Sequence, residues 1–200
     1  MGDPKFPRKK YDTPNHPWKA DRIQEEKDAQ RSFGLKNKRE IWKAKSLIRN
    51  FRKQARTLSA RRRTGDLQAE KETDQLLKRL EVLGILASGS SLNDVLAINL
   101  EQVLNRRLQT VVHHLGLANT PKQARQFIVH GHVNVGDRTV TIPGYLVRRT
   151  EEGAIQINPN SPYESETHPM RAQGQKQEDM TGLGNEPAGE GAQQPEKEAS

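Results

Sequence analysis

The side chains with the clearest capacity for chemistry lie between residues 99 and 149, where cations recur on predicted helices and a predicted hairpin. The main ones are Arg106, Arg107, Lys122, Arg125 and Arg138. Arginine predominates, and its planar guanidinium binds phosphate through two hydrogen bonds and stacks on unpaired bases. The residue types favour nucleic-acid binding, although charged residues on an exposed helix face are often only solvated.

Other reactive residues in this stretch lack the partners that catalysis or metal binding requires. His130 and His132 lie two residues apart, but no cysteine or nearby carboxylate completes a coordination shell. The acidic residues are isolated rather than paired for general acid–base catalysis. No glycine-rich loop precedes a Lys-Ser/Thr pair, as a phosphate-cradling loop would require. We therefore expect no catalytic residue, no cofactor and no metal ion.

The charge of the chain falls into three blocks. Residues 1–63 contain 20 Lys and Arg against 7 Asp and Glu, residues 64–160 contain 10 of each, and residues 161–200 contain 3 against 8. This segregation is typical of a polyanion-binding arm with a separate acidic tail. Only 32% of the residues are hydrophobic, there is no cysteine, and the longest apolar run, residues 82–87, is too short to span a membrane. We expect a soluble cytoplasmic protein with a small core.

The basic arm is predicted to be helical over residues 18–33, 38–63 and 67–83, with a short helix or turn at 93–97. The second helix has the clearest pattern, since its apolar residues recur at spacings of three and four. They are Ile41, Ala44, Ile48, Phe51, Ala55 and Leu58. Because the other faces are basic, we expect this helix to dock by its apolar seam and to lie along phosphates. Trp18 and Trp42 could stack on bases or pack in the core, and the sequence leaves both interpretations open.

The capping and turn residues after residue 98 predict two helices followed by a hairpin. Capping signals at Asn99 and Thr120 open helices over residues 99–115 and 120–130, each ended by a glycine. On a helical wheel of the first, Arg106 and Gln109 lie opposite the leucine stripe, and Arg107 and Thr110 flank it. Strands at 132–135 and 138–142 enclose the turn Gly136-Asp137, and two more strands are possible at 145–148 and 154–157.

These elements predict an α+β fold in which a helical region precedes a small helix-helix-hairpin RNA-binding domain. We divide the chain into an extended basic segment (1–17), a basic helical domain (18–98), the RNA-binding domain (99–163) and an acidic tail (164–200). The tail is predicted to be disordered, because its Gly-, Gln-, Glu- and Pro-rich sequence buries too little apolar surface to offset its ordering entropy.

Several motifs resemble a known family. Three motifs resemble the S-four RNA-binding domain: LNRRLQT at residues 104–110, LGLA at 115–118 and HGHVNV at 130–135. The resemblance extends to FGLKNKREIW at 33–42, VTIP at 140–143 and SPY at 161–163. Together they resemble the family of small-subunit ribosomal protein four, of the archaeal and eukaryotic type, over roughly residues 4–163. The N-terminal motif makes this resemblance specific, because the RNA-binding domain also occurs in RNA-modifying proteins.

The resemblance implies a protein without catalytic activity that binds small-subunit ribosomal RNA early and nucleates assembly of the subunit body. It also implies a contact with small-subunit protein five, and this contact influences decoding accuracy. It implies RNA contact by Arg106, Arg107, Gln109, Thr110, Lys122, Arg125, His130, His132 and Asn134. The charge pattern adds Arg138 and, in the arm, Lys36, Lys38, Arg39, Lys43, Arg49, Arg52, Lys53 and Arg56. No zinc is implied, because the cysteine set of bacterial members is missing. The acidic tail also differs from the basic tail of eukaryotic members.

Two alternatives use the same RNA-binding domain. One is an RNA-modifying enzyme such as a pseudouridine synthase, which needs a sizeable catalytic domain with an essential aspartate. The predicted arm and tail offer no place for such a domain. The other is a free-standing RNA chaperone, which the sequence alone does not separate from a ribosomal protein.

Overall fold

The structure is a computed structural model that describes residue 9 and residues 11–165. In that part of the chain the helices are α1 (Ala20–Ser32), α2 (Lys38–Arg63), α3 (Leu67–Val82), α4 (Leu92–Ala97), α5 (Leu100–Asn105), α6 (Leu108–His114) and α7 (Pro121–Val129). The strands are β1 (Val133–Val135), β2 (Arg138–Thr139) and β3 (Ile155–Ile157), with a 3₁₀ helix at Arg149–Ala154. The predicted α+β fold class is confirmed. The predicted disorder of the tail and most of the predicted N-terminal extended segment lie outside the described residues.

Helix α2 spans the predicted residues, and all six residues of its apolar seam are buried. The seam packs with Leu76 and Leu80 of α3 and with Val95 of α4 in a first core. Burying a side chain such as Ile41 or Phe51 stabilises the fold by about 1.5–3 kcal/mol. These contacts hold in place a helix whose remaining surface is mostly cationic.

The turn between α1 and α2 lies against the start of α7. Gly34 ends α1 with φ of 58°, a conformation that glycine adopts without steric cost. A Cβ atom added there would lie 2.7 Å from Pro121 Cβ and 3.1 Å from Gln109 Nε2. The absence of a side chain at Gly34 therefore permits the close approach between the helical arm and the RNA-binding domain.

The predicted single helix over residues 99–115 is wrong, because the chain breaks at Arg106 and Arg107 into α5 and α6. A distant segment runs alongside the break: the Leu108 N–H donates to the Tyr145 carbonyl at 2.8 Å, and the Val147 N–H donates to the Arg106 carbonyl at 2.9 Å. Arg107 has extended backbone and forms an isolated β-bridge with Leu146. Backbone groups that a continuous helix would pair internally are thus paired with residues about forty positions later.

The second core lies between α6, α7 and a three-stranded antiparallel sheet of order β2-β1-β3. The predicted hairpin forms around Gly136, whose φ is 60°, and Val135 pairs with Arg138 on one side and Ile155 on the other. Strand β2 is shorter than predicted. The possible strand at 154–157 is present as β3, whereas the one at 145–148 is wrong, because that segment pairs with the helix break instead.

Candidate nucleic-acid interface

The eighteen predicted RNA contacts differ widely in exposure. Nine are exposed: Lys36, Arg39, Lys43, Arg49, Lys53, Arg56, Lys122, His130 and Arg138. Six are half-buried: Lys38, Arg52, Arg106, Arg125, His132 and Asn134. Three are buried: Arg107, Gln109 and Thr110. The exposed group defines the candidate interface.

The exposed cations of α2 include a basic stripe, formed by Arg49, Lys53 and Arg56. Their spacing of four and three places them on one side of the helix, because the α-helix repeats every 3.6 residues. Arg49 pairs with Asp12, but both side chains are well exposed, and surface pairs contribute little to stability. Among the described residues, Lys53 and Arg56 form no ion pair. The stripe is therefore available to an external polyanion.

The RNA-binding domain adds three exposed groups. Lys122 lies in the first turn of α7, where the helix dipole disfavours a cation, so helix stability does not explain its charge. His130 follows the end of α7, and Arg138 begins β2. Arg106 is less available, since its guanidinium donates to the Glu152 carboxylate and the Val147 carbonyl, both at 3.1 Å.

The predicted outward orientation of Gln109 is wrong, and Thr110, which was predicted to flank the leucine stripe and to contact RNA, is also buried. The Gln109 side-chain amide is fully buried and donates to the carbonyls of Gly34 at 3.0 Å and Pro121 at 2.8 Å. The Thr110 hydroxyl donates to the Leu104 carbonyl at 2.8 Å. The helical wheel assumed one continuous helix, and the break before α6 changes the direction in which these side chains point. Their hydrogen-bonding groups are occupied inside the protein.

Arg107 and Arg125 meet a single carboxylate, that of Glu40 in the first turn of α2. Arg107 Nη2 lies 2.7 Å from Glu40 Oε2, and Arg125 Nη2 lies 2.9 Å from Glu40 Oε1. Burial lowers the pKa of Arg107, and the Glu40 carboxylate opposes that shift. We call these three residues the Glu40 junction. It joins the helical arm to the RNA-binding domain and engages, inside the protein, two cations that the sequence assigned to RNA.

His132 and Asn134 are also engaged within the domain. His132 Nδ1 lies 3.0 Å from the Ser161 hydroxyl, and its ring packs edge-on against Tyr163 at 4.9 Å between centroids. Tyr163 also lies 4.6 Å from the Phe127 ring, so the chain after β3 folds back over α7. The Asn134 side chain accepts a hydrogen bond from the Thr139 hydroxyl at 2.8 Å across the hairpin. The SPY motif thus packs against His132 through Ser161 and Tyr163.

A buried carboxylate stabilises the arm. Glu26 of α1 accepts from Arg22 at 2.7 Å and from the Trp42 indole at 3.0 Å, with Lys38 at 3.5 Å. Burial acts to raise the Glu26 pKa, but these hydrogen bonds and cations outweigh it, and the pKa is lowered. Sequence reasoning did not single out Glu26 or Glu40, because a single sequence does not reveal which distant cation a helical glutamate will meet.

Two kinds of feature are missing from the described residues. No group of three or more His, Cys, Asp or Glu side chains there is arranged to hold a metal ion. Within the same residues, no helix has the length and apolar character needed to cross a membrane.

Comparison with known proteins matches both halves of the chain. The family model described as the ribosomal protein S4/S9 N-terminal domain matches residues 5–105, and the S4 domain matches residues 106–158. The two matches meet at the break between α5 and α6. The small ribosomal subunit protein uS4 of Picrophilus torridus is 49% identical over 181 residues, which cover 90% of this chain and 99% of that protein. The protein of the same name from Methanococcus aeolicus is 52% identical over 172 residues, covering 86% of this chain and 96% of that protein. The chain therefore belongs to the ribosomal protein S4 family.

Proposed function

We propose that this protein is a structural constituent of the small ribosomal subunit, where it binds small-subunit ribosomal RNA directly and nucleates assembly of the subunit body. It works in the cytoplasm as part of the ribosome and has no catalytic activity. It also contacts small-subunit protein five and thereby contributes to translational accuracy. The observation that carries this proposal is the similarity, over nearly the whole chain, to proteins named small ribosomal subunit protein uS4.

The exposed cations support an RNA partner. The basic stripe has no described counter-charge on Lys53 and Arg56, and Lys122 and Arg138 add cations from the other half of the chain. Phosphate contacts from such residues position a protein on folded RNA, and they make affinity depend on salt. Because the Glu40 junction links the two halves, cations from both halves can bind the same folded RNA.

An RNA-modifying enzyme is a weaker candidate. The two family matches occupy residues 5–158 without a gap, so that range contains no additional catalytic module. Incubating the purified chain with ribosomal RNA and assaying for modified uridine distinguishes the two functions.

Sedimentation tests the proposal itself. A tagged chain expressed in an archaeal host should migrate in a sucrose gradient with the small subunit, at one copy per particle. A chain that remains at the top of the gradient, or that associates with RNA only outside the subunit, would instead support a free RNA chaperone.

A further inference from the structure

Trp18 is the most exposed large hydrophobic side chain among the described residues, with 87% of its surface accessible. It lies two residues before α1, next to the N-cap residue Lys19, and makes no ring contact with the described aromatic residues. The other tryptophan, Trp42, is half-buried, donates its indole N–H to Glu26 and packs 6.1 Å from the Tyr11 ring. Core packing therefore explains Trp42 and leaves Trp18 unexplained.

The backbone that presents Trp18 is held in place. Arg22 Nη2 donates to the carbonyl of Pro17 at 2.8 Å and to that of His16 at 3.2 Å, while Nη1 donates to the buried Glu26. One guanidinium thus ties the two residues before Trp18 to α1. Because the preceding turn is anchored, the exposed position of the indole is a feature of the fold.

The segment that carries Trp18 borders a largely cationic concave surface. Trp18 is not part of its lining, but its sequence neighbours His16 and Lys19 are, together with Lys9, Arg22, Arg49 and Asp12. Asp12 is the one acidic residue of that lining, and it is paired with Arg49. A protein partner normally needs a contiguous apolar patch, whereas an isolated flat ring flanked by cations suits a base and its phosphates.

We propose that Trp18 is a stacking site for an unpaired RNA base, with the adjacent Lys19 contacting a neighbouring phosphate. This inference rests on the proposed function, because it assumes an RNA partner. It assigns to the N-terminal end of the arm a contact with unpaired RNA, in addition to the phosphate contacts of the basic stripe. Aromatic side chains stack on any base, so the site selects unpaired nucleotides rather than a sequence.

Tryptophan emission provides the test, because the chain contains only two tryptophans. In a Trp42→Phe variant, small-subunit ribosomal RNA should quench the emission of Trp18. A single-stranded decamer should compete with this quenching, and a duplex of the same sequence should not. If Trp42→Phe fails to fold, the difference in emission between the parent and Trp18→Phe measures the same signal.

Binding affinity for ribosomal RNA provides the second part of the test. Trp18→Ala should weaken binding to ribosomal RNA by roughly 5- to 150-fold, which corresponds to the loss of one stacked base. Trp18→Phe should retain most of the affinity, because phenylalanine also stacks. The matched control is Leu67→Ala, which removes another highly exposed side chain and should leave affinity unchanged.

The outcomes separate this inference from the proposed function. If the parent binds ribosomal RNA but Trp18 is not quenched, or Trp18→Ala binds as well as Leu67→Ala, the stacking site is refuted and the proposed function stands. Quenching only in subunits that contain their other proteins would refute the base contact in favour of a protein contact. If the parent does not bind ribosomal RNA, the proposed function itself fails.

Discussion

Replacing Glu40 with alanine should destabilise the protein more than removing any other single carboxylate in the described part of the chain. Its side chain is the only described anion that contacts Arg107, and it also accepts two hydrogen bonds from Arg125, at 2.9 and 3.2 Å. Glu40→Ala would leave the Arg107 guanidinium, only 10% exposed, without a counter-charge. The same change would remove the ionic link between α2 and the RNA-binding domain.

The expected magnitude follows from burial. Removing one partner of a buried ion pair costs about 3–5 kcal/mol, because the remaining charge stays desolvated. Arg125 has 24% of its side chain exposed and can regain water, so we expect a loss near the lower end, about 3 kcal/mol. That is a large fraction of the roughly 5–15 kcal/mol that stabilises a typical domain.

Urea unfolding followed by circular dichroism measures the effect. A loss of about 3 kcal/mol should lower the midpoint by about 1–3 M, given slopes of about 1–3 kcal/mol per molar urea. Glu25→Ala is the matched control, since Glu25 is an exposed acid of α1, and it should change the free energy of unfolding by less than about 0.5 kcal/mol.

A double variant identifies the cause of the loss. Adding Arg107→Met to Glu40→Ala removes the unpaired charge and should restore part of the stability, because apolar replacements of buried ion pairs are often tolerated. The reasoning would be refuted if Glu40→Ala cost less than about 1 kcal/mol, or if the double variant were no more stable than the single one.

Two further variants test other parts of the fold. The pKa of Glu26 is lowered, so the ionised side chain stabilises the fold at pH values above its ordinary pKa of 4.5. This stabilisation is lost as the pH falls through the pKa of the folded state, so Glu26→Gln should flatten the acidic part of a plot of unfolding free energy against pH. An unchanged acidic part would contradict this. Gly34→Ala should destabilise more than Gly65→Ala, since both residues have positive φ but only Gly34 would bring a Cβ to 2.7 Å from Pro121. Equal losses of unfolding free energy would show that the close approach to Pro121 is unimportant.

The sequence predicted those elements whose signal is local. The seam of α2 is regular over its whole length, and glycines at 34, 84, 116 and 131 all adopt the positive φ expected after a helix. The hairpin followed from Gly136-Asp137 for the same reason. These features depend on periodicity and on backbone sterics, and both are visible in a short window of sequence.

The wrong predictions share a different cause, which is pairing over long sequence separations. The helix break at Arg106 depends on hydrogen bonds with residues near 145, and the wheel placed Gln109 on the surface because it assumed no break. Arg107 and Arg125 read as surface cations because Glu40 lies 67 and 85 residues away. A single sequence gives no measure of such contacts.

The exposure of the cations was therefore predicted best where they have no buried partner among the described residues. The basic stripe lies opposite a regular apolar seam, so its exposure followed from the same periodicity that predicted α2. The half-buried set, such as Arg106 and His132, could not be separated from the exposed set, because their partners Glu152 and Ser161 lie in later segments. Whether each exposed cation contacts RNA stays a prediction.

The salt dependence of binding to small-subunit ribosomal RNA tests the central claim most directly. The parent chain should lose about 10³–10⁵ in affinity between about 50 and 200 mM salt, as expected for some six to ten phosphate contacts. Replacing the basic stripe, Arg49, Lys53 and Arg56, with glutamine should reduce the slope of log affinity against log salt by about 2. The control replaces three exposed cations elsewhere, Lys27, Arg31 and Lys71, with glutamine. It lowers the net charge by the same amount but should leave the slope of log affinity against log salt unchanged. A flat salt dependence of the parent, or equal slopes for the two variants, would contradict an RNA interface on this face of α2.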